Sequence, residues 1–195
     1  MKFDHLKLCL ASESPRRAEL LRQLGIRFEV QPADIDETVA DSEAAEAYVV
    51  RMSGQKSRKR WQLNRQTKFA DLPVLAADTS VVFGNQIMGK PENREHAVEM
   101  LTALSGNTHE VLTAVSLLHR EKLATRISRS RVTFSSLSLE DISRYWDTGE
   151  PADKAGAYAI QGKAAIFIES LEGSYSGVMG LPLYELGQLL DELEI

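Results

Sequence analysis

Strand signals and helix signals take turns along the whole of this chain, and that alternation narrows the fold more than any other feature. Leu6, Leu8 and Leu10 alternate over Lys7 and Cys9 as a strand does. The run ends in Ser12-Glu13-Ser14-Pro15, a helix start with Ser at the cap and Pro at the first helical position. Leu20, Leu21 and Leu24 make one helical face, stopped at Gly25, and Ile26 to Pro32 reads as a second strand. A long helix is predicted from Ser42 to Asn64, with Tyr48, Val49 and Met52 on its apolar side. Pro73 to Phe83 has the composition of a buried strand, and Gly84-Asn85 turns it into a short return strand at Ile87-Met88. The second half continues with a helix over Pro91 to Leu104, strands over His109 to His119 and Leu123 to Leu137, and a helix over Ser138 to Trp146 opened by a capping box of Ser138 with Asp141. A pair of strands across Tyr158 to Glu169 and a helix over Leu181 to Leu193 complete the order. Several consecutive strands lack a helix between them, so the fold class is α/β with a mixed central sheet flanked by helices.

No repeat or long linker interrupts this order, and 195 residues suffice for one domain with its own core, taken to span 1–195. The single cysteine, Cys9, has no partner for an intramolecular disulfide, and the first ten residues carry no apolar block of signal-peptide length. No apolar run reaches the roughly 18 residues that a membrane span needs. These features predict a cytoplasmic protein with no membrane partner. A net charge of −5 argues against a general affinity for nucleic acid, so an anionic ligand would need positive charge concentrated locally.

Charge is in fact uneven. Seven acids and no Lys or Arg fall between Glu29 and Glu46, and seven bases with no acid between Arg51 and Lys68. Two readings stand: an acidic loop leading into a helix with a solvated basic face, or acid and base on opposite sides of one cleft.

Local candidates for chemistry carry the same duality. Ser12-Glu13-Ser14-Pro15-Arg16-Arg17 offers helix amides, two hydroxyls and two planar guanidinium forks to an oligophosphate, or is an ordinary capped helix with solvated arginines. It is not a Walker loop, because the Gly-Lys-Ser/Thr ending is absent. Asp78 stands in the middle of an apolar strand, where a carboxylate must be paired, hydrogen-bonded or on a metal. It is either an acceptor of backbone amides beside Thr79, or a metal ligand or general base of the kind that holds Mg²⁺ with substrate phosphates. Glu37 can supply a second carboxylate. Lys90 lies between Gly89 and Pro91, where a chain approaches a ligand closely, and the Gln161 amide both donates and accepts toward a base edge. A solvated acidic loop, a turn lysine and an exposed loop glutamine are the plain alternatives. The four histidines show no ligand spacing, and the aromatic residues are scattered.

Taken in order, these segments stop being independent. Leu10-Ala11-Ser12 through Arg16-Arg17, Asp36-Glu37, Lys56, Ala77-Asp78-Thr79, Gly89-Lys90-Pro91, Lys154-Ala155-Gly156-Ala157-Tyr158-Ala159-Ile160-Gln161-Gly162 and Gly180-Leu181-Pro182-Leu183 occur in the order seen in the Maf family of nucleoside triphosphate pyrophosphatases. The chain resembles that family from Leu8 to Leu190. It is most similar to the branch acting on dTTP and UTP, which pairs Asp-Thr on the buried strand with Gln in the Ile-Gln-Gly loop. The resemblance implies a Maf/inosine-triphosphatase-like fold with two lobes around a cleft, and release of nucleoside monophosphate and pyrophosphate with Mg²⁺ or Mn²⁺ as cofactor. It implies Asp78 as the catalytic acid group accepting a proton, and Arg16, Thr79 and Gln161 as residues tied to substrate choice. Ser12, Arg17, Lys56 and Lys90 match polar positions around the triphosphate, and Glu37 joins Asp78 at the divalent cation. A homodimer and a link to cell-division arrest are family-level expectations. The alternatives are a nucleotide-binding regulator of septum formation with little turnover, and the sister branch's activity on 7-methyl-GTP. Ser53 and Ser57 depart from the alanines expected near Lys56, and Ala76 stands where glycine is frequent.

Overall fold

In a computed structural model, which describes residue 3 and residues 5–194, the chain runs β1 (Lys7–Leu10), α1 (Pro15–Gln23), β2 (Arg27–Val30), α2 (Ala45–Asn64), β3 (Val74–Phe83) and β4 (Gln86–Met88). It continues through α3 (Arg94–Leu104), β5 (Thr108–His119), β6 (Lys122–Phe134), α4 (Leu139–Trp146), β7 (Ile168–Glu172), α5 (Tyr175–Met179) and α6 (Leu183–Glu192). Met1, Lys2, Asp4 and Ile195 lie outside the described residues. No helix among the described residues is long and apolar enough to cross a membrane.

One seven-stranded mixed sheet carries the elements, in the order β2-β1-β3-β5-β6-β7 with β4 on β3. The first three strands are parallel, because α1 and α2 return the chain over the sheet, whereas β3, β5, β6 and β7 are joined antiparallel. The pairing of β1 with β3 stops early, with only Cys9↔Val74 and Leu10↔Leu75 in register, and β4 joins β3 again only at Val81. Between Ala76 and Ser80 the β1 side of β3 therefore has no strand beside it. This opening lies past the carboxyl end of β1, where α/β sheets commonly bind ligands.

The two-residue period of β3 sorts its side chains by face. Leu75, Ala77 and Val81 enter the main core with Leu8, Leu21, Leu101, Leu117 and Phe134. Val74, Ala76 and Val82 enter smaller clusters on the α2 side. By the same parity Asp78 faces α2 and Thr79 the opposite side. Helix α2 packs Val49, Met52, Ser53 and Ser57 inward, and Lys56 belongs to that i, i+3, i+4 stripe. The two serines have work there: Ser53 Oγ lies 2.9 Å from Ser116 Oγ, and Ser57 donates to the Ser116 carbonyl at 3.2 Å. Where alanines were expected, hydroxyls fasten the helix to β5.

Several predicted elements differ; β6 ends at Phe134 and not Leu137, and α6 starts at Leu183 and not Leu181. Helix α2 starts at Ala45 and not Ser42, whose positive φ of 58° places it in the turn before the helix. Helix α3 starts at Arg94, since the Asn93 side chain caps it by accepting from the His96 amide. The strand pair expected across Tyr158 to Glu169 is absent. The chain makes 3-10 turns at Ala155–Ala157 and Lys163–Phe167, then the one strand β7. Gly156 and Ala157, with φ of 67° and 59°, turn the chain just before Tyr158, and the span itself carries Gly162 and three alanines, residues that strands disfavour.

Two stability predictions follow from this packing. A Cβ on Gly156 would sit 2.9 Å from Val81 Cγ1 at positive φ, while one on Gly187 in α6 would meet nothing within 4 Å. In urea unfolding, Gly156→Ala is expected to cost about 1–3 kcal/mol, and Gly187→Ala to stabilise by up to about 1 kcal/mol. His109 is buried, with Nε2 2.8 Å from the Tyr158 hydroxyl, and burial pushes its pKa from 6.5 down to about 4. A histidine that folding keeps neutral gives full stability above 6.5 and loses it as the pH falls toward 4. His109→Gln should therefore flatten the fall of stability across that window; an unchanged pH profile would assign the acid sensitivity to other groups.

Candidate active site

A cavity of about 830 Å³ occupies the opening beside β3. Its walls come from the β1–α1 turn, the loop after β2, one side of α2, residues 78–81 of β3, the Gly89-Lys90 turn, the segment 153–161 and the end of α5. Ser12, Arg16, Arg17, Glu37, Lys56, Asp78, Thr79, Lys90 and Gln161 all line it, although they come from six separate stretches spread over 150 positions of sequence. Five cations line it (Arg16, Arg17, Lys56, Lys90, Lys154) with five carboxylates (Glu13, Asp34, Glu37, Asp78, Asp153), so the chain's net −5 resides outside the cavity.

The acidic centre is built around one lysine. Lys56 Nζ lies 2.7 Å from Asp78 Oδ1 and 2.7 Å from Glu37 Oε1. Asp78 is 8% exposed, and burial raises its pKa above the usual carboxylate value against the opposing charges of Lys56 and Arg17. Burial also pushes Glu37 upward, but its hydrogen bond and charge contact with Lys56, aided by Lys90 and Arg17, bring it below the usual value. The loop bearing Glu37 is held to α2: the Tyr48 hydroxyl donates to the Glu37 carbonyl at 2.9 Å, and Arg51 Nη2 to the Thr38 carbonyl at 3.0 Å. Burial and the charges of Asp78 and Glu37 push the Tyr48 hydroxyl up to about 12. Arg51 also pairs with Glu43 at 2.5 Å, and Arg60 donates to the Pro32 carbonyl. The acidic and basic runs thus meet each other, and the basic one does not form a continuous solvated face.

The two arginines of α1 have different surroundings. Arg17 donates from Nε to the Gly180 carbonyl at 2.8 Å, from Nη1 to Ser12 Oγ at 3.0 Å and from Nη2 to Thr79 Oγ1 at 3.5 Å. It braces α1 against β3 and the end of α5, with one N–H left on each Nη. Thr79 Oγ1 lies 3.0 Å from Thr113 Oγ1, its register partner on β5, and the Thr113 hydroxyl reaches the Gly177 carbonyl at 2.8 Å. Arg16 hydrogen-bonds to no described residue and has Asp153 as its compensating charge. Arg17 therefore has much of its fork engaged within the protein, whereas the Arg16 fork makes no hydrogen bond to a described residue. Helix α1 starts at Pro15 with no side-chain cap; Pro15 has no N–H and the Ser14 amide bonds Ser12 Oγ, so the Arg16 and Arg17 amides, on residues that line the cavity, are those without an intrahelical partner. Gln161 and Lys90 are exposed at the rim, each without a hydrogen bond to a described residue.

Lys154 and Tyr48 also line the cavity, and Thr113 supports it from behind Thr79. Lys154, whose side chain is mostly buried and paired with Asp153, had no periodic or motif-independent signal. Tyr48 was legible only as an apolar helix position. The Thr113 contact depends on strand register, which no local pattern specifies.

A family model described as Maf-like protein matches residues 7–193. A dTTP/UTP pyrophosphatase of Alkalilimnicola ehrlichii is 53% identical over 95% of this chain and 92% of its own length. One of Methylococcus capsulatus is 52% identical over 99% of this chain and 94% of its own, and one of Colwellia psychrerythraea 50% over 94% and 87%. The structure of the Staphylococcus aureus Ham1 protein overlaps 66% of this chain and 70% of that protein at 14% identity with a TM-score of 0.39, too slight a likeness to carry a conclusion. With nearly every residue inside the matched range and relatives at half identity over almost their full lengths, the chain belongs to the Maf-like protein family.

Proposed function

We propose that this chain hydrolyses dTTP and UTP to the nucleoside monophosphate and pyrophosphate. The observation that carries the reading is a buried carboxylate, Asp78, in the same cavity as the uncapped start of α1, Arg16 and Lys90. Relatives at about half identity that bear the name dTTP/UTP pyrophosphatase support the substrate class. A carboxylate beside an oligophosphate repels it, so its presence makes sense where a cation or a proton transfer is required.

In this mechanism the bridge between the α and β phosphates is cleaved. A water oxygen bonds to phosphorus as the bridging oxygen leaves with its electron pair, and Asp78 accepts the water's proton. Negative charge gathers on the phosphate oxygens, and Arg16, Lys90 and the α1 amides stabilise it, with Arg17 and Ser12 shaping that wall. Thr79 and Gln161 act at the base, where polar groups left unpaired by a wrong base give strong discrimination.

Asp78 and Glu37 suit a hard divalent cation: two carboxylates from different walls converge on one point, the position now held by the Lys56 ammonium. Among the described residues no group of three His, Cys, Asp or Glu side chains is arranged to hold a metal. Mg²⁺ or Mn²⁺ on these two carboxylates would draw its other ligands from water and substrate, and would supply charge neutralisation to the phosphates. Lys56 would then be free to turn toward a phosphate oxygen. A cytoplasmic location and a homodimer go with this reading as family-level expectations.

Purified protein with Mg²⁺ should turn over dTTP and UTP ahead of the purine nucleotides, with monophosphate and pyrophosphate in equal amounts. Binding without turnover, orthophosphate as the product, or a purine preference would contradict the assignment. Asp78→Asn keeps the shape and removes the charge, and turnover should fall roughly a hundredfold or more. Normal hydrolysis by that variant would make Asp78 structural.

A further inference from the structure

Gln161 is placed at the cavity by groups that do not reach it. The Ala159 amide donates to the Tyr145 hydroxyl at 3.2 Å, the Lys163 amide to Glu150 Oε2 at 3.0 Å and the Ala164 amide to Glu150 Oε1 at 3.4 Å. The Tyr145 hydroxyl in turn donates to Glu150 Oε1 at 2.8 Å. One phenol and one carboxylate therefore hold the backbone on both sides of Gln161. Gly162 shows how closely the carboxylate is packed, since a Cβ there would lie 2.2 Å from Glu150 Oε1. Neither Tyr145 nor Glu150 lines the cavity. Tyr145 is rooted in the core, 3% exposed with its ring edge-on to Phe167 at 5.2 Å. The Gln161 side chain is exposed and hydrogen-bonds to no described residue, so only its backbone directs it.

We infer that Tyr145 and Glu150 are positioning residues for base choice, which act by fixing the backbone that aims the Gln161 amide. This rests on the reading of Gln161 as a base-edge reader. An amide discriminates between base edges only when it cannot shift to satisfy the wrong one. A held loop leaves the mismatched polar groups unpaired, and a loose loop adapts to them. Tyr145→Phe keeps the ring against Phe167 and leaves the Ala159 amide without its acceptor. Glu150→Gln puts an NH₂ where an oxygen receives a backbone N–H, setting donor against donor.

The test compares kcat/KM for UTP and CTP, which differ at the base edge, in the wild type, Tyr145→Phe, Glu150→Gln, Gln161→Ala and each double variant with Gln161→Ala. Each positioning variant should narrow the UTP preference by roughly tenfold, the scale of one or two lost hydrogen bonds, and mainly through KM for UTP. Each double variant should be no less selective than Gln161→Ala alone, because the two changes act on one interaction. A purely structural role would lower the kcat of both nucleotides alike and leave their ratio unchanged. That result, with Gln161→Ala still abolishing the preference, would overturn the positioning role and leave the reading of Gln161 standing. An unchanged ratio in Gln161→Ala would overturn both.

Discussion

The contact of Lys56 with Asp78 and Glu37 is the interaction on which the rest of the site depends. A carboxylate 8% exposed on a central strand is costly unless something answers its charge. One ammonium, 2.7 Å from each of two carboxylates, does so. Each supporting feature serves that meeting. Helix α2 brings Lys56 to the sheet because its inward stripe includes position 56, and Ser53 and Ser57 fasten that helix to β5. Tyr48 and Arg51 hold the loop that delivers Glu37. The early end of the β1–β3 pairing leaves room for Asp78 to meet a ligand.

On the other face of β3 the brace is Arg17. Its three bonds join α1, β3 and the end of α5, so this wall of the cavity is braced by the protein's own contacts. Adjacent residues Asp78 and Thr79 serve different faces of the sheet yet border one cavity, because the strand is open at its edge there. Two polar groups of one cavity are thereby placed one residue apart. In the proposed hydrolysis, preorganised donors of this kind would stabilise developing charge without reorganising.

Much of the fold is legible in the sequence. The alternation of elements, the buried run around Asp78, the cap at Ser138 and the helical start at Pro15 each rest on local spacing, and local spacing survives folding. Resemblance, and not periodicity, brought Lys56, Lys90 and Gln161 together. What stayed hidden depends on distant partners. The Thr79–Thr113 contact needs the β3–β5 register, the division of labour between Arg16 and Arg17 needs the position of Gly180, and the support of Gln161 needs α4 beside the 158–164 loop. The 3-10 turn at Lys163–Phe167 falls inside the strand pair expected across Tyr158 to Glu169, because the backbone there is held by the distant Glu150 carboxylate, which hydrophobic pattern does not encode.

The most direct measurement is a double-mutant cycle in urea unfolding, with Lys56→Met and Asp78→Asn made singly and together at a pH where both native groups are charged. If Lys56 is there to answer the buried charge, Lys56→Met should be strongly destabilising with Asp78 intact. It should be nearly harmless with Asp78→Asn, giving a coupling of about 2 kcal/mol or more. Additive effects within about 0.5 kcal/mol would mean that the two side chains do not depend on each other and would contradict the account.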